Sequence, residues 1–253
     1  SCVDEIKFGN SFLEKAPGGS ATQDTIFNSV TYTRQFLNTC YSRQYYGLPY
    51  VNSSVDDFPD SSNPYTGKFD ALTDCWQLHY SGTTIYNSYY SGTHTANYGV
   101  RGDIFGYTRE GVWQTVRWCW LLLENVDRVP GMGEDEKVQM KAEAKCLIAA
   151  RYFDMFRHYG GLPLIYSSFT GTETNYQLPR ATVEETVNYM DKMLEEAIGS
   201  GGLKWSYEGA DFNSDGGHWT LAGAMALRCK LWQFAASPLF NDTQGYAGGR
   251  SEA

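Results

Sequence analysis

The chain is poor in histidine, with four in 253 residues, and its six cysteines at 2, 40, 75, 119, 146 and 229 form no Cys-x-x-Cys pair and no Cys/His pairing at metal-ligand spacing. A zinc site is not expected on that pattern. No acidic loop carries the ligand rhythm of a calcium site, so neither metal nor cofactor is expected. No apolar run reaches 18 residues, so no segment reads as a membrane-spanning helix. Basic clusters are missing as well. Lys and Arg number 20 against 29 acids, a formal charge of -9, and nucleic-acid affinity rests on clustered Lys and Arg. No nucleic-acid partner is expected, and the mild acidity reads as a solvated surface.

What the chain has is apolar and aromatic mass: 42% hydrophobic residues, 19 tyrosines and seven tryptophans, enough for a folded body of one large domain or two small ones. Its periodicity is helical. A first helix is predicted from Asp24 to about Tyr45, with Ile26, Val30, Leu37 and Tyr41 at helical spacing. The rhythm returns at Val112, Val116, Cys119, Trp120 and Leu123 and stops at Pro130-Gly131. It resumes over Glu134 to Tyr159, with Val138, Ala142, Cys146, Ala149, Phe153 and Phe156 on one face, so the two segments read as a helix hairpin. Thr182 and Glu185 have capping-box spacing, and Val183, Val187, Met190, Leu194 and Ile198 form one stripe ending at Gly199. Its partner starts near Thr220. There Ala222, Ala224, Ala226, Ala235 and Ala236 invite close backbone approach, Leu221, Met225 and Trp232 fill space, and Pro238 ends the helix.

The predicted class is therefore all-α, with antiparallel helix pairs of the tetratricopeptide or α-solenoid kind, although no regular 34-residue period is present. Residues 161–166 and 202–205 read as short extended pieces. Cys40, Cys119, Cys146 and Cys229 fall in predicted helices and read as small buried hydrophobes, with one disulfide left open. His158 reads as a partner for a helix C-terminus. Trp113, Trp118 and Trp120 are assigned to packing, because Trp113 and Trp120 are seven apart on one helix face.

Residues 46–107 break the helical rhythm and form an irregular, loop-rich insertion. The stretch from Tyr41 to Tyr107 holds eleven of the 19 tyrosines and Trp76, among Ser, Thr, Gly and Asn. Rigid aromatic plates among small hydrogen-bonding groups are a recognition palette. They suit sugars, whose C–H faces stack on rings while their hydroxyls take directional hydrogen bonds. Trp76, Tyr80, Tyr86, Tyr89, Tyr90 and Tyr98 are the candidate plates, with Asp74 and Asn97 as candidate polar partners and His79, Asn87 and His94 close in sequence. The competing reading is that these tyrosines pack the insertion itself.

Three blocks in order carry a family resemblance. Ala142-Glu143-Ala144-Lys145 leads through Arg151-Tyr152-Phe153 to Tyr159-Gly160-Gly161-Leu162-Pro163-Leu164. Pro179-Arg180-Ala181-Thr182-Val183-Glu184-Glu185 opens the next helix, which closes over 191–198, and Trp219 to Phe240 contains Ala236-Ser237-Pro238-Leu239. These resemble the SusD/RagB family of surface glycan-binding lipoproteins. Trp113 to Asp127 is similar to that family's first long helix, although Trp118-Cys119-Trp120 stands where polar and small residues are usual. The resemblance runs from about Ala21 to Asp242 and is strongest after Trp113. Members are longer than this chain, so it resembles an N-terminal portion, a single helical domain over 1–253.

The resemblance implies non-catalytic capture of oligosaccharide or polysaccharide at the cell surface and its delivery to a SusC-like TonB-dependent transporter in the outer membrane. It also tips Cys2 toward lipidation as an N-terminal membrane anchor, the other reading being an incidental thiol at a frayed end. The resulting localisation is outer membrane, lipid-anchored and surface-exposed. Two other readings stay open: a peptide receptor of the RagB branch, and a tetratricopeptide scaffolding module, for which only Arg228 and Lys230 lie centrally on the last helix. A glycoside hydrolase would need two carboxylates roughly 5–10 Å apart. The acids at 134–136 and 184–185 are instead explained by helix-start electrostatics. None of the histidines sits in a nucleophile-elbow or metal context, so the chain is not expected to be an enzyme.

Overall fold

A computed structural model describes residues 19–42, 74–75, 110–169 and 177–241. The chain divides into two units, Ser1–Ser42 with Thr115–Ala253, and Arg43–Gln114. Apart from the opening of the helix that enters it at Thr115, the first unit holds every regular element among the described residues, and each of these is a helix. In chain order they are α1 (Gly19–Phe27), α2 (Val30–Tyr41), α3 (Glu110–Asn125) with a 3-10 turn at Val126–Arg128, α4 (Glu134–Tyr159), α5 (Val183–Gly199), the short α6 (Ala210–Asp215), α7 (Leu221–Ala235) and the short α8 (Pro238–Asn241).

The single helix predicted from Asp24 to Tyr45 is two helices. Asn28 and Ser29 separate them, and Ser29 adopts extended backbone and caps α2, its hydroxyl accepting from the Tyr32 N–H. Serine competes with the helix for backbone donors and so marks starts more than interiors. The Thr33 hydroxyl secures the joint by facing the carbonyls of Ile26 at 3.0 Å and Ser29 at 2.9 Å.

α4 is the central element. Its first turn holds Glu134, Asp135 and Glu136, its last Arg157 and His158, as the helix dipole favours. It is buried almost continuously from Met140 to Phe156, more than a one-sided stripe allows, because it packs against α2, α5 and α7. The α4/α5 pair is the most extensive helix contact in the unit, followed by α5/α7. Lys145–Glu196 at 2.8 Å links the first pair. Arg228 grips Asp191 with two hydrogen bonds, at 2.7 and 3.1 Å, and links the second. Trp118 on α3 is buried to 1%, in line with its packing assignment; Trp113 and Trp120 are only half-buried.

The capping box at α5 is present in both directions, with the Glu185 N–H donating to Thr182 Oγ1 at 3.1 Å and the Thr182 N–H to Glu185 Oε2 at 2.8 Å. Thr182→Ala is expected to cost about 1 kcal/mol of stability, seen as a lowered urea midpoint with unchanged slope. Val187, Met190 and Leu194 are buried as the stripe predicted.

α7 departs from expectation. Thr220 caps it, its hydroxyl accepting from the Gly223 N–H at 3.0 Å, and Ala224 and Ala235 are buried. Met225 and Trp232 do not fill the core; they are 45% and 38% exposed. Ala226, Ala236 and Cys229 are exposed too. The helix is apolar on most sides, so periodicity could not choose the inward one, and the Asp191 grip on Arg228 and the Trp232 indole N–H settles the rotation. Pro238 opens α8, whose Phe240 stacks on Phe156 with ring centres 5.2 Å apart. The pieces at 161–166 and 202–205 are not strands.

Candidate functional site

Of the sequence-predicted site residues, only Asp74 lies among the described ones. It is exposed, in a turn with Cys75, whose thiol lies 3.5 Å from the Asp74 carboxylate. Trp76, Tyr80, Tyr86, Tyr89, Tyr90, Tyr98, Asn97 and Cys2 lie outside the described residues, as does most of the 46–107 insertion. The described surface instead offers two concavities that the sequence did not single out.

The larger, about 670 Å³, runs along the exposed side of α5. Its position is set by the join between α4 and α5. Gly160 ends α4 with φ +69°, a conformation natural to glycine, and its N–H closes on the Phe156 carbonyl. The Arg180 guanidinium then covers the negative end of α4, donating to the Gly161 carbonyl at 2.9 Å and, through Nη2, to the Tyr159 carbonyl. The extended 161–166 segment is held by side chains. Leu162 N–H donates to the Thr186 hydroxyl at 3.1 Å, the Tyr152 hydroxyl donates to the Pro163 carbonyl at 2.8 Å and accepts from the Ile165 N–H at 3.0 Å, and the Tyr189 hydroxyl donates to the Ile165 carbonyl at 2.5 Å.

That scaffold presents rings. Tyr189 is buried and packs on Tyr152 at 4.7 Å; Tyr166 stands edge-to-face on Tyr189 at 5.3 Å and is 66% exposed. Burial pushes the Tyr152 and Tyr189 hydroxyls far above the ordinary phenol value, so both stay protonated donors. Trp120, expected in the core, lines the cleft beside Leu164, Leu178 and Pro179, with Asn188 and Lys192 from α5. Sequence could have marked Tyr166 by its place after an extended Leu-Pro-Leu-Ile run, yet nothing local says that such a ring is left in solvent.

The smaller concavity, about 520 Å³, is lined by Arg34, Asn38, Asp135, Glu136, Gln139, Glu143, Asp215 and His218 among others. Glu143 is fully buried at its base. Its carboxylate accepts from the Tyr41 hydroxyl at 2.9 Å and the Gln139 amide at 2.9 Å, and His218 Nδ1 lies 3.1 Å away. His218 stacks on Tyr41 with centres 4.3 Å apart, its Nε2 is 3.1 Å from Asn38 Oδ1, and the Trp219 N–H donates to the Tyr41 hydroxyl at 2.7 Å. Burial works against a charge on His218, but the Glu143 contact and the nearby Asp215 carboxylate outweigh it and raise the imidazole above its usual value. Glu143, Tyr41, Gln139, His218 and Asn38 are thus partnered among themselves, so the arrangement reads as a structural lock. Among the described residues no group of His, Cys, Asp and Glu could hold a metal ion, and no helix is long and apolar enough to cross a membrane.

No protein-family model and no curated protein matches the chain. Solved structures do. A SusD-like carbohydrate-binding protein of Bacteroides fragilis superposes with a TM-score of 0.62 at 20% identity, over 84% of this chain and 40% of that one. A second SusD-like protein of that organism gives 0.53 at 22% identity, over 86% and 37%. A SusD homolog of Bacteroides thetaiotaomicron gives 0.53 at 18% identity, over 85% and 43%. The chain spans about two fifths of the length of these proteins, and the fold it shares with them is the SusD-like helical fold.

Proposed function

We propose that this chain, having the SusD-like fold, is a non-catalytic glycan-binding protein of the cell surface. The observation that carries the reading is the fold shared with a SusD-like carbohydrate-binding protein, joined to a tyrosine-rich insertion whose composition suits sugar recognition. The reading extends to the rest of the expected system: a lipid anchor on Cys2 in the outer membrane, and a SusC-like TonB-dependent transporter that receives the captured oligosaccharide. The helical unit would supply the protein-protein surface, and the aromatic insertion the ligand surface.

A few stacked rings give weak affinity, in the millimolar to micromolar range, roughly 4–8 kcal/mol. Affinity gel electrophoresis and calorimetry against plant, host and microbial polysaccharides test the proposal beside a Trp76→Ala, Tyr89→Ala, Tyr90→Ala variant. Retardation by one glycan, abolished in the triple variant and without release of reducing ends, is the expected result. Release of reducing ends would overturn the non-catalytic reading, and binding of peptides in place of every glycan would move the chain to the peptide-receptor class.

A further inference from the structure

The cleft on α5 is lined by groups of two kinds. Most of its charges are committed: Arg180 to the carbonyls of Tyr159 and Gly161, Glu185 to the Thr182 cap, Glu196 to Lys145 at 2.8 Å. Three groups carry hydrogen-bonding capacity with no partner among the described residues: the Tyr166 hydroxyl, the Asn188 amide and the Lys192 ammonium. Asn188 and Lys192 are four apart on α5 and both exposed, so they occupy one stripe of its surface. Tyr166 has its ring fixed against buried Tyr189 and most of its surface free, which is a plate held ready without an ordering cost.

We propose that this cleft is a separate carbohydrate subsite for a sugar bearing an anionic group, an inference that rests on the glycan-binding reading above. A pyranose face stacks on Tyr166 and Trp120, the Asn188 amide reads ring hydroxyls, and Lys192 takes the carboxylate or sulfate. The volume, about 670 Å³, lies within the range of small-ligand sites. Charge supplies the specificity. On a chain of net charge -9 an acidic glycan is repelled by most of the surface. A lysine with no carboxylate partner among the described residues, beside aromatic rings and the Arg180 guanidinium and with Glu196 paired to Lys145, offsets that locally, the Glu185 anion of the cap being the charge it works against.

The test titrates the 253-residue chain with a galacturonate oligosaccharide, its carboxyl-reduced neutral counterpart, a sulfated galactan oligosaccharide free of carboxylates, and an acidic peptide. Lys192→Met keeps the apolar stem and Tyr166→Ala removes an exposed ring, so neither should unfold the protein, which a thermal melt checks. The expected result is binding of at least one anionic sugar, weakened roughly tenfold by Lys192→Met and by added salt, while affinity for the neutral counterpart changes less than about twofold. Tyr166→Ala should weaken both. The carboxylate and sulfate arms tell which anion is read. Binding of an anionic sugar that is indifferent to both substitutions overturns the subsite, as does binding of the acidic peptide alone. If glycans of the wider panel bind but none of these sugars does, this subsite fails and the broader reading stands. If no glycan binds anywhere, both fail.

Discussion

Replacing Glu143 by alanine is expected to lower stability by about 3–5 kcal/mol, the scale for removing one member of a buried charged network. Glu143 is fully buried, is held by Gln139 one turn back on α4, and joins two sequence-distant pieces to that helix: Tyr41 at the end of α2 and His218 just before the Thr220 cap of α7. Its loss leaves Tyr41 and His218 facing an empty, desolvated position, and frees the 200–219 connection that they hold. Chemical denaturation followed by tryptophan fluorescence reads the change; a loss below about 1 kcal/mol would show that the network is not structural.

Glu143→Gln separates charge from shape. It keeps an acceptor for Tyr41 but removes the anion beside His218, so the imidazole value should fall toward that of a free histidine, measurable by NMR. The pH dependence has a definite sign. Because the folded value of His218 is raised, its contribution is fully present below the ordinary imidazole value, about 6.5, and is lost as pH rises through the folded value. The wild-type melting temperature should decline across that window, and Glu143→Gln should flatten the decline. The groups facing His218 are Glu143 on α4, Asp215 on α6 and Tyr41 on α2, and the Tyr41 hydroxyl, raised by burial and by Glu143, stays protonated throughout.

Gly161→Ala is the second large effect, with an expected loss of about 3 kcal/mol or more. A Cβ on Gly161 would sit 2.0 Å from the Ala181 carbonyl oxygen and 3.1 Å from two further backbone carbons. Backbone cannot rotate aside as a side-chain tip can, so α4 and α5 would have to separate at their join. Gly199→Ala is the control: nothing lies within 4 Å of the added carbon, and the substitution should be neutral or stabilise by up to about 1 kcal/mol. Thermal melts should show Gly161→Ala well below the wild type and Gly199→Ala at or above it. Equal melts would mean that the join relaxes without cost.

The two motif blocks at 159–164 and 179–185 are thus one physical object. The glycine permits the approach, the extended Ala181 N–H donates back to the Leu162 carbonyl at 3.0 Å, and Arg180 covers the end of α4. Sequence order displayed the blocks separately; their contact explains why they occur together.

Sequence by itself determined the helical class and the limits of α4 and α5, because those signals are local: acidic first turn, basic last turn, a capping box and a Gly-Gly stop all act within a few residues of the boundary they mark. It missed the break at Ser29 because Ile26 and Leu37 keep helical spacing across a capping serine. Which apolar faces are covered was decided only by the tertiary structure. Met225, Trp232 and Cys229 share a helix with buried Ala224 and Leu231, and nothing in α7 alone distinguishes them, since burial depends on neighbours far along the chain. The same holds for Glu143, whose Tyr41 partner lies 102 residues away, and for the α5 cleft, where Tyr166, Asn188 and Lys192 meet because α4 and α5 close tightly at Gly161.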